Sequence, residues 1–238
     1  MTEISFTRTI KVDGQGMAAH AAQPGGSDRV PAVVVIQHAP GVDTFIQAMV
    51  ERLSRAGYAA MAPDLYYRQE QVRLDPLERM KRLKDTEIIA DVNATVQYLQ
   101  REPNVDPQRI GVMGFCMGGR IAYLAAATNA GLKASVVYYG GNIMAPWGEG
   151  VPAPFARTGD IGCPLLFHFG DDDTNPSPED RRKIDAELTR CGKAHEFYTY
   201  RDAGHAFMNF TNVERYRAAA SDVSWPRTLD FLARHLKR

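Results

Sequence analysis

Polar and apolar positions change rhythm many times along the 238-residue chain. Near Ile4–Val12 and Met17–Ala22 they alternate, the period of half-buried strands, which predicts an opening hairpin with Gly14 and Gly16 supplying its turn. Ala32-Val33-Val34-Val35-Ile36 breaks the alternation. A continuous β-branched run of this kind predicts a central parallel strand buried on both faces. Ile46, Met49, Val50 and Leu53 then recur at helical spacing behind Asp43, a suitable N-cap. Tyr58–Ala62 reads as a short strand ending at Pro63, and Ile88, Val92, Val96 and Leu99 as a helix closed by Pro103. Further strands are predicted at Ile110–Met113, Ser135–Tyr139, Leu165–Phe169 and His195–Tyr200. Helices are predicted at Gly118–Ala127 and Pro178–Leu188, with Trp225, Leu229, Leu232 and Leu236 marking a closing one.

Strands alternating with helices of this length belong to the α/β class, with a mainly parallel central sheet and helices on both faces. No repeat, low-complexity tract or charged linker interrupts the pattern, so one domain is expected over residues 1–238. Working residues of such sheets lie just beyond the carboxyl ends of the strands, and chemistry is sought there.

Composition narrows the partners. Lysine plus arginine equals aspartate plus glutamate at 28 each, whereas nucleic acid or an anionic membrane surface calls for a basic excess. No apolar run approaches the ~18 residues of a transmembrane helix, and Met1 to Arg8 lacks the apolar stretch of a secretory signal. Three cysteines, Cys116, Cys163 and Cys191, form no paired spacing. A reducing cytoplasm is the expected home, where a free thiolate survives.

One of those cysteines has a setting of its own. Gly114-Phe115-Cys116-Met117-Gly118-Gly119 stands between a predicted strand and a predicted helix. This is the G-x-nucleophile-x-G pattern of a nucleophile elbow, with cysteine where serine is commoner. The turn is sharp enough to leave no room for a Cβ at the flanking glycines. A helix N-terminus favours a thiolate, and the Met117 amide is placed to meet an oxyanion. The bland alternative is a Gly-rich turn around a structural cysteine, the reading given to Cys163 and Cys191.

A base and an acid follow in order. His205 sits in the Gly-containing loop after the strand ending at Tyr200, and Asp171-Asp172-Asp173 follow the strand ending at Gly170. An imidazole suits the task of general base, and a carboxylate orients it and stabilises its cation. The order nucleophile, acid, histidine is that of the α/β-hydrolase fold; on the residues alone, any of the three aspartates could be the acid. His20, His168, His195 and His235 are read as structural or surface groups, whereas His38 ends the Val-rich strand where an oxyanion loop belongs. No cluster has zinc-type spacing and no glycine-rich nucleotide motif appears, so neither metal nor cofactor is expected.

These residues resemble the dienelactone hydrolase family (carboxymethylenebutenolidases). The likeness rests on Val34-Val35-Ile36-Gln37 with Gly41-Val42, on Pro63-Asp64-Leu65-Tyr66, on the cysteine elbow, on the Gly170–Asp173 turn followed by Pro178-Glu179, and on Ala203-Gly204-His205-Ala206-Phe207. It implies Cys116 as nucleophile, Asp173 as acid, His205 as base, and the amides of Met117 and Ala39 as oxyanion hole. It further implies hydrolysis of a small lactone or ester without a cofactor, by a monomer or small homo-oligomer. Other activated substrates (a thioester, an aryl ester) and a non-catalytic small-ligand binder are the competing readings.

Two departures bear on the substrate. The family's dienelactone-cleaving members carry a glutamate where this chain has His38, and grip the substrate carboxylate with two arginines. One of these corresponds to Arg82; the other position is Asn209. His38 is expected either to act on the thiol proton or carbonyl, or to bond a loop carbonyl. Arg68, Arg82, Phe207, Asn209 and Trp147, the last in a long 140–162 loop, are the expected pocket residues beside it, with Tyr67 and Gln69.

Overall fold

The computed structural model describes residues 3–69 and 74–237; Met1 and Thr2 of the amino-terminal reading lie outside them. The alternating stretches form β1 (Glu3–Val12) and β2 (Gln15–Pro24), paired antiparallel. Their two-residue turn is Asp13-Gly14, both at positive φ (49° and 80°), as a primed hairpin turn demands. Gly16 lies inside the strand opposite Lys11, a correction to its expected place in the turn.

β3 (Val30–Ile36), β4 (Ala59–Pro63), β5 (Val105–Phe115), β6 (Leu132–Tyr138), β7 (Leu165–Gly170) and β8 (His195–Tyr200) complete one eight-stranded sheet of order β1-β2-β4-β3-β5-β6-β7-β8. Only β2 runs against the rest. The Val-rich run shows why the core is two-sided. Val33 and Val35 face α1 (Thr44–Arg55) and the closing α6 (Ala218–Leu236). Val34 and Ile36 face α3 (Asp85–Arg101), α4 (Met117–Thr128) and α5 (Pro178–Arg190). Asp43 caps α1 as predicted, accepting the Ile46 N–H at 3.2 Å.

Two elements escaped the periodicity. α2 (Pro76–Lys81) buries none of its residues, and a 3₁₀ turn at Pro154–Asp160 sits within the long loop. Neither presents an apolar stripe to read. No described helix is long and apolar enough to cross a membrane.

Candidate active site

Cys116 stands at the end of β5 and caps α4 with φ 58° and ψ −120°, a region that costs a side-chain-bearing residue ~1–3 kcal/mol. The neighbouring glycines make the turn possible. A Cβ on Gly114 would run into the backbone of Gly118, and one on Gly118 into the carbonyls of Ile36 and Gln37. The turn therefore lifts the sulfur off the strand end into a cavity rather than into the core, and Cys116 is partly exposed.

The strands set out the other groups. Asp173 lies three residues past β7, buried, with its Oδ2 2.9 Å from Nδ1 of His205, five residues past β8. Its Oδ1 accepts the Asn175 N–H at 2.9 Å, and its carbonyl accepts from Arg181 at 2.7 Å. Asp171 and Asp172 are exposed; the fold thus singles out one of the three acids. The same imidazole also interacts with Cys116, by contact and by charge. Tyr139 packs edge-on against the ring at 5.2 Å and is itself braced by Phe207.

Burial opposes charge on both partners, but their mutual contact outweighs it. The hydrogen bond and charge of His205, with the backbone N–H groups of Met117 and Ala39, hold the Cys116 thiol below its ordinary range. Against its own burial, His205 is raised to about 10 by Asp173 and Cys116. Both shifts run in the direction that favours a charged sulfur beside a charged ring. Cys163, buried without such partners, is pushed up to about 12. His168 is lowered to about 3 by burial and by nearby Arg227, and is bonded by Tyr200 and Thr228; it is structural, as expected.

The amides of Met117 and Ala39 both point at the sulfur. Tyr66 ties their segments together, its hydroxyl donating to the Ala39 carbonyl at 2.8 Å and standing 3.5 Å from the Met117 sulfur. Its sequence signal was the Pro63–Tyr66 motif, which gave no hint of this role.

A cavity of about 470 Å³ opens over the sulfur, and His38, Ala39, Met117, Asp173, His205 and Asn209 line it. Six expected pocket residues stand apart from that lining, among them Tyr67, whose hydroxyl donates to Asp91 at 2.9 Å, and Gln69, whose amide donates to the Arg79 carbonyl at 2.9 Å. Arg68 is bound at 2.6 Å to Asp91 on α3, Arg82 is exposed at the end of α2, Phe207 is buried beside Tyr139, and Trp147 lies under the Arg120 guanidinium at 3.9 Å. In their place come Asp75, Leu77 and Met80 from α2 and its cap, with Asn212 and Arg215 from the 207–217 loop. These sit in segments whose approach to the sulfur is made only by tertiary folding.

Two sequence relatives and one solved structure are similar to this chain. A Synechocystis sp. protein named as a carboxymethylenebutenolidase is 33% identical over 249 residues, covering 100% of both chains. A Bradyrhizobium sp. protein named as a 2-oxo-3-(5-oxofuran-2-ylidene)propanoate lactonase is 32% identical, over 95% of this chain and 93% of its own. The crystal structure of a dienelactone hydrolase homologue from Klebsiella pneumoniae superposes with a TM-score of 0.90 at 29% identity, over 99% of this chain and 100% of its own. The family model for dienelactone hydrolases spans residues 17–236, from the second strand of the hairpin to the last turn of α6, and this chain belongs to the dienelactone hydrolase family.

Proposed function

We propose that the protein hydrolyses small lactones and activated esters through a covalent thioester on Cys116. The observation that carries this is one imidazole shared by two partners: His205 bonds Asp173 at 2.9 Å through Nδ1 and also meets Cys116. A thiolate held in this way attacks the substrate carbonyl, and the oxyanion that forms takes the place of the sulfur between the amides of Met117 and Ala39. The carbon–oxygen bond then breaks, and in the minimal scheme His205 gives its proton to the leaving oxygen. Water attacks the thioester, losing a proton to His205, and sulfur leaves as thiolate to restore the ion pair.

Leaving groups that depart easily, enol lactones and aryl esters, match this site best, because a thiolate is itself readily expelled from the tetrahedral intermediate. Arg215 is the one permanent cation among the cavity's described lining residues. It supports substrates that carry an anion, in keeping with the anionic lactone for which the Bradyrhizobium relative is named.

Hydrolysis of p-nitrophenyl acetate and of an enol lactone tests the reading, with intact-mass detection of an acyl adduct on Cys116. Cys116→Ala is expected to lose at least ~10³-fold in kcat, the scale of removing a nucleophile. Undiminished turnover in that variant, or an adduct on another residue, refutes the assignment.

A further inference from the structure

The cavity holds a second imidazole–carboxylate couple that the scheme above does not use. His38 is buried at 5% exposure two residues past β3 and lines the cavity. Its Nε2 is sealed from solvent and stands 2.9 Å from Asp43 Oδ2, at hydrogen-bond distance but off the ideal line. Its Nδ1 is not sealed, and no described group bonds it, which leaves that nitrogen open to the cavity. Phe45 fixes the ring from below, centroid to centroid 5.4 Å.

The partner carboxylate is equally constrained. Asp43 caps α1 through Oδ1, which accepts the Ile46 N–H, and turns Oδ2 to the imidazole. Sheet order then places this couple. β3 adjoins β5 on one side, while β7 and β8 lie on the other beyond β6. His38 and His205 therefore approach Cys116 from opposite sides. A space-filling histidine needs neither a dedicated carboxylate nor a free nitrogen in the cavity. A proton-transfer group needs both.

We propose that His38, positioned by Asp43, is the acid that serves the leaving oxygen, so that His205 is freed to serve sulfur alone. The inference rests on the thioester reading and refines it. As the carbon–oxygen bond breaks, its electron pair passes to the leaving oxygen, which takes the proton from Nδ1 of His38 acting as an imidazolium; Nε2–H stays with Asp43 and the ring is left neutral. The water that attacks the thioester returns a proton to the emptied Nδ1, and sulfur departs as thiolate to the His205 cation. Ester and water give acid and alcohol, with both imidazoles restored.

The test is leaving-group dependence. kcat/KM is measured for p-nitrophenyl, phenyl and trifluoroethyl acetates in wild type, His38→Gln and Asp43→Asn. Asparagine also caps helices well, so Asp43→Asn removes the charge while α1 keeps its cap; circular dichroism and melting confirm the fold of both variants. General acid catalysis contributes ~10²–10⁴-fold. His38→Gln should therefore lose about 100-fold more on the trifluoroethyl than on the nitrophenyl ester, whose leaving oxygen departs without a proton. Asp43→Asn should show a smaller loss graded in the same order. An equal loss across the series, or none, overturns the proposal. If wild type cleaves these esters without acylating Cys116, the thioester reading fails on the mass data, and the slope still judges His38 by itself.

Discussion

Removing one buried carboxylate tests the energetics of the cavity wall. Arg120, in the first turn of α4, has 0% exposure. Its guanidinium meets Asp85 at 2.6 and 2.9 Å, donates to the carbonyls of Asn142 and Ala145 at 3.1 and 2.6 Å, and lies on the Trp147 ring. Asp85 also accepts the Trp147 N–H at 2.9 Å. Asp85→Asn leaves that buried guanidinium without its counter-charge, a change that costs roughly 3–5 kcal/mol. With an unfolding entropy of about 2.1 cal/mol/K per residue, roughly 500 cal/mol/K here, Tm should fall by about 6–10 °C. Calorimetry at neutral pH measures this directly. Adding Arg120→Met to Asp85→Asn should recover part of the loss, because the orphaned charge disappears with it. A fall below about 2 °C in the single variant, or a double variant that simply sums two losses, refutes the argument that the pair is a coupled buried charge unit.

Three further outcomes are expected. Alkylation of Cys116 by iodoacetamide should level off at a lower pH than that of a free cysteine, because the His205 contact holds the thiol below its ordinary range; an isolated thiol gains about tenfold per pH unit up to its own pKa, and a profile matching it would refute the shift. Tyr66→Phe should leave the fold near wild type while kcat falls about tenfold, since the hydroxyl that fixes the Ala39 segment is lost and one misplaced oxyanion donor is worth ~10²–10³; an unchanged kcat on a slow ester would contradict its bracing role. Arg215→Gln should raise KM about tenfold for an anionic lactone and leave a neutral aryl ester nearly unaffected, so an equal effect on both would remove Arg215 from substrate recognition.

Where burial imposes a period, the sequence was readable. The run from Ala32 to Ile36 showed a strand covered on both faces because each successive side chain meets a helix layer. The elbow was readable for a steric reason: Gly114 and Gly118 each abut backbone. Choice among Asp171, Asp172 and Asp173 was not, since only the path of the chain after β7 buries one and exposes two. α2 was invisible because none of its residues is fully buried and only Met80 packs on the core. Arg68 was misplaced because its partner Asp91 sits on the inner face of α3, a pairing that sequence spacing does not disclose. Arg215 reaches the cavity from an irregular loop whose local residues carry no pattern at all.

The anchoring of Asn142 and Ala145 by Arg120 has a mechanical corollary. One flank of the cleft is fastened to the same helix that presents the sulfur, through the hydrogen bonds from Arg120 to the Asn142 and Ala145 carbonyls. On the other side α2 has no fully buried residue; it meets the core only through half-buried Met80 and rests otherwise on contacts such as the Arg79 guanidinium over Tyr66. The two flanks are therefore held unequally: the one tied by Arg120 through a buried ion pair and hydrogen bonds, the α2 flank through half-buried and surface contacts.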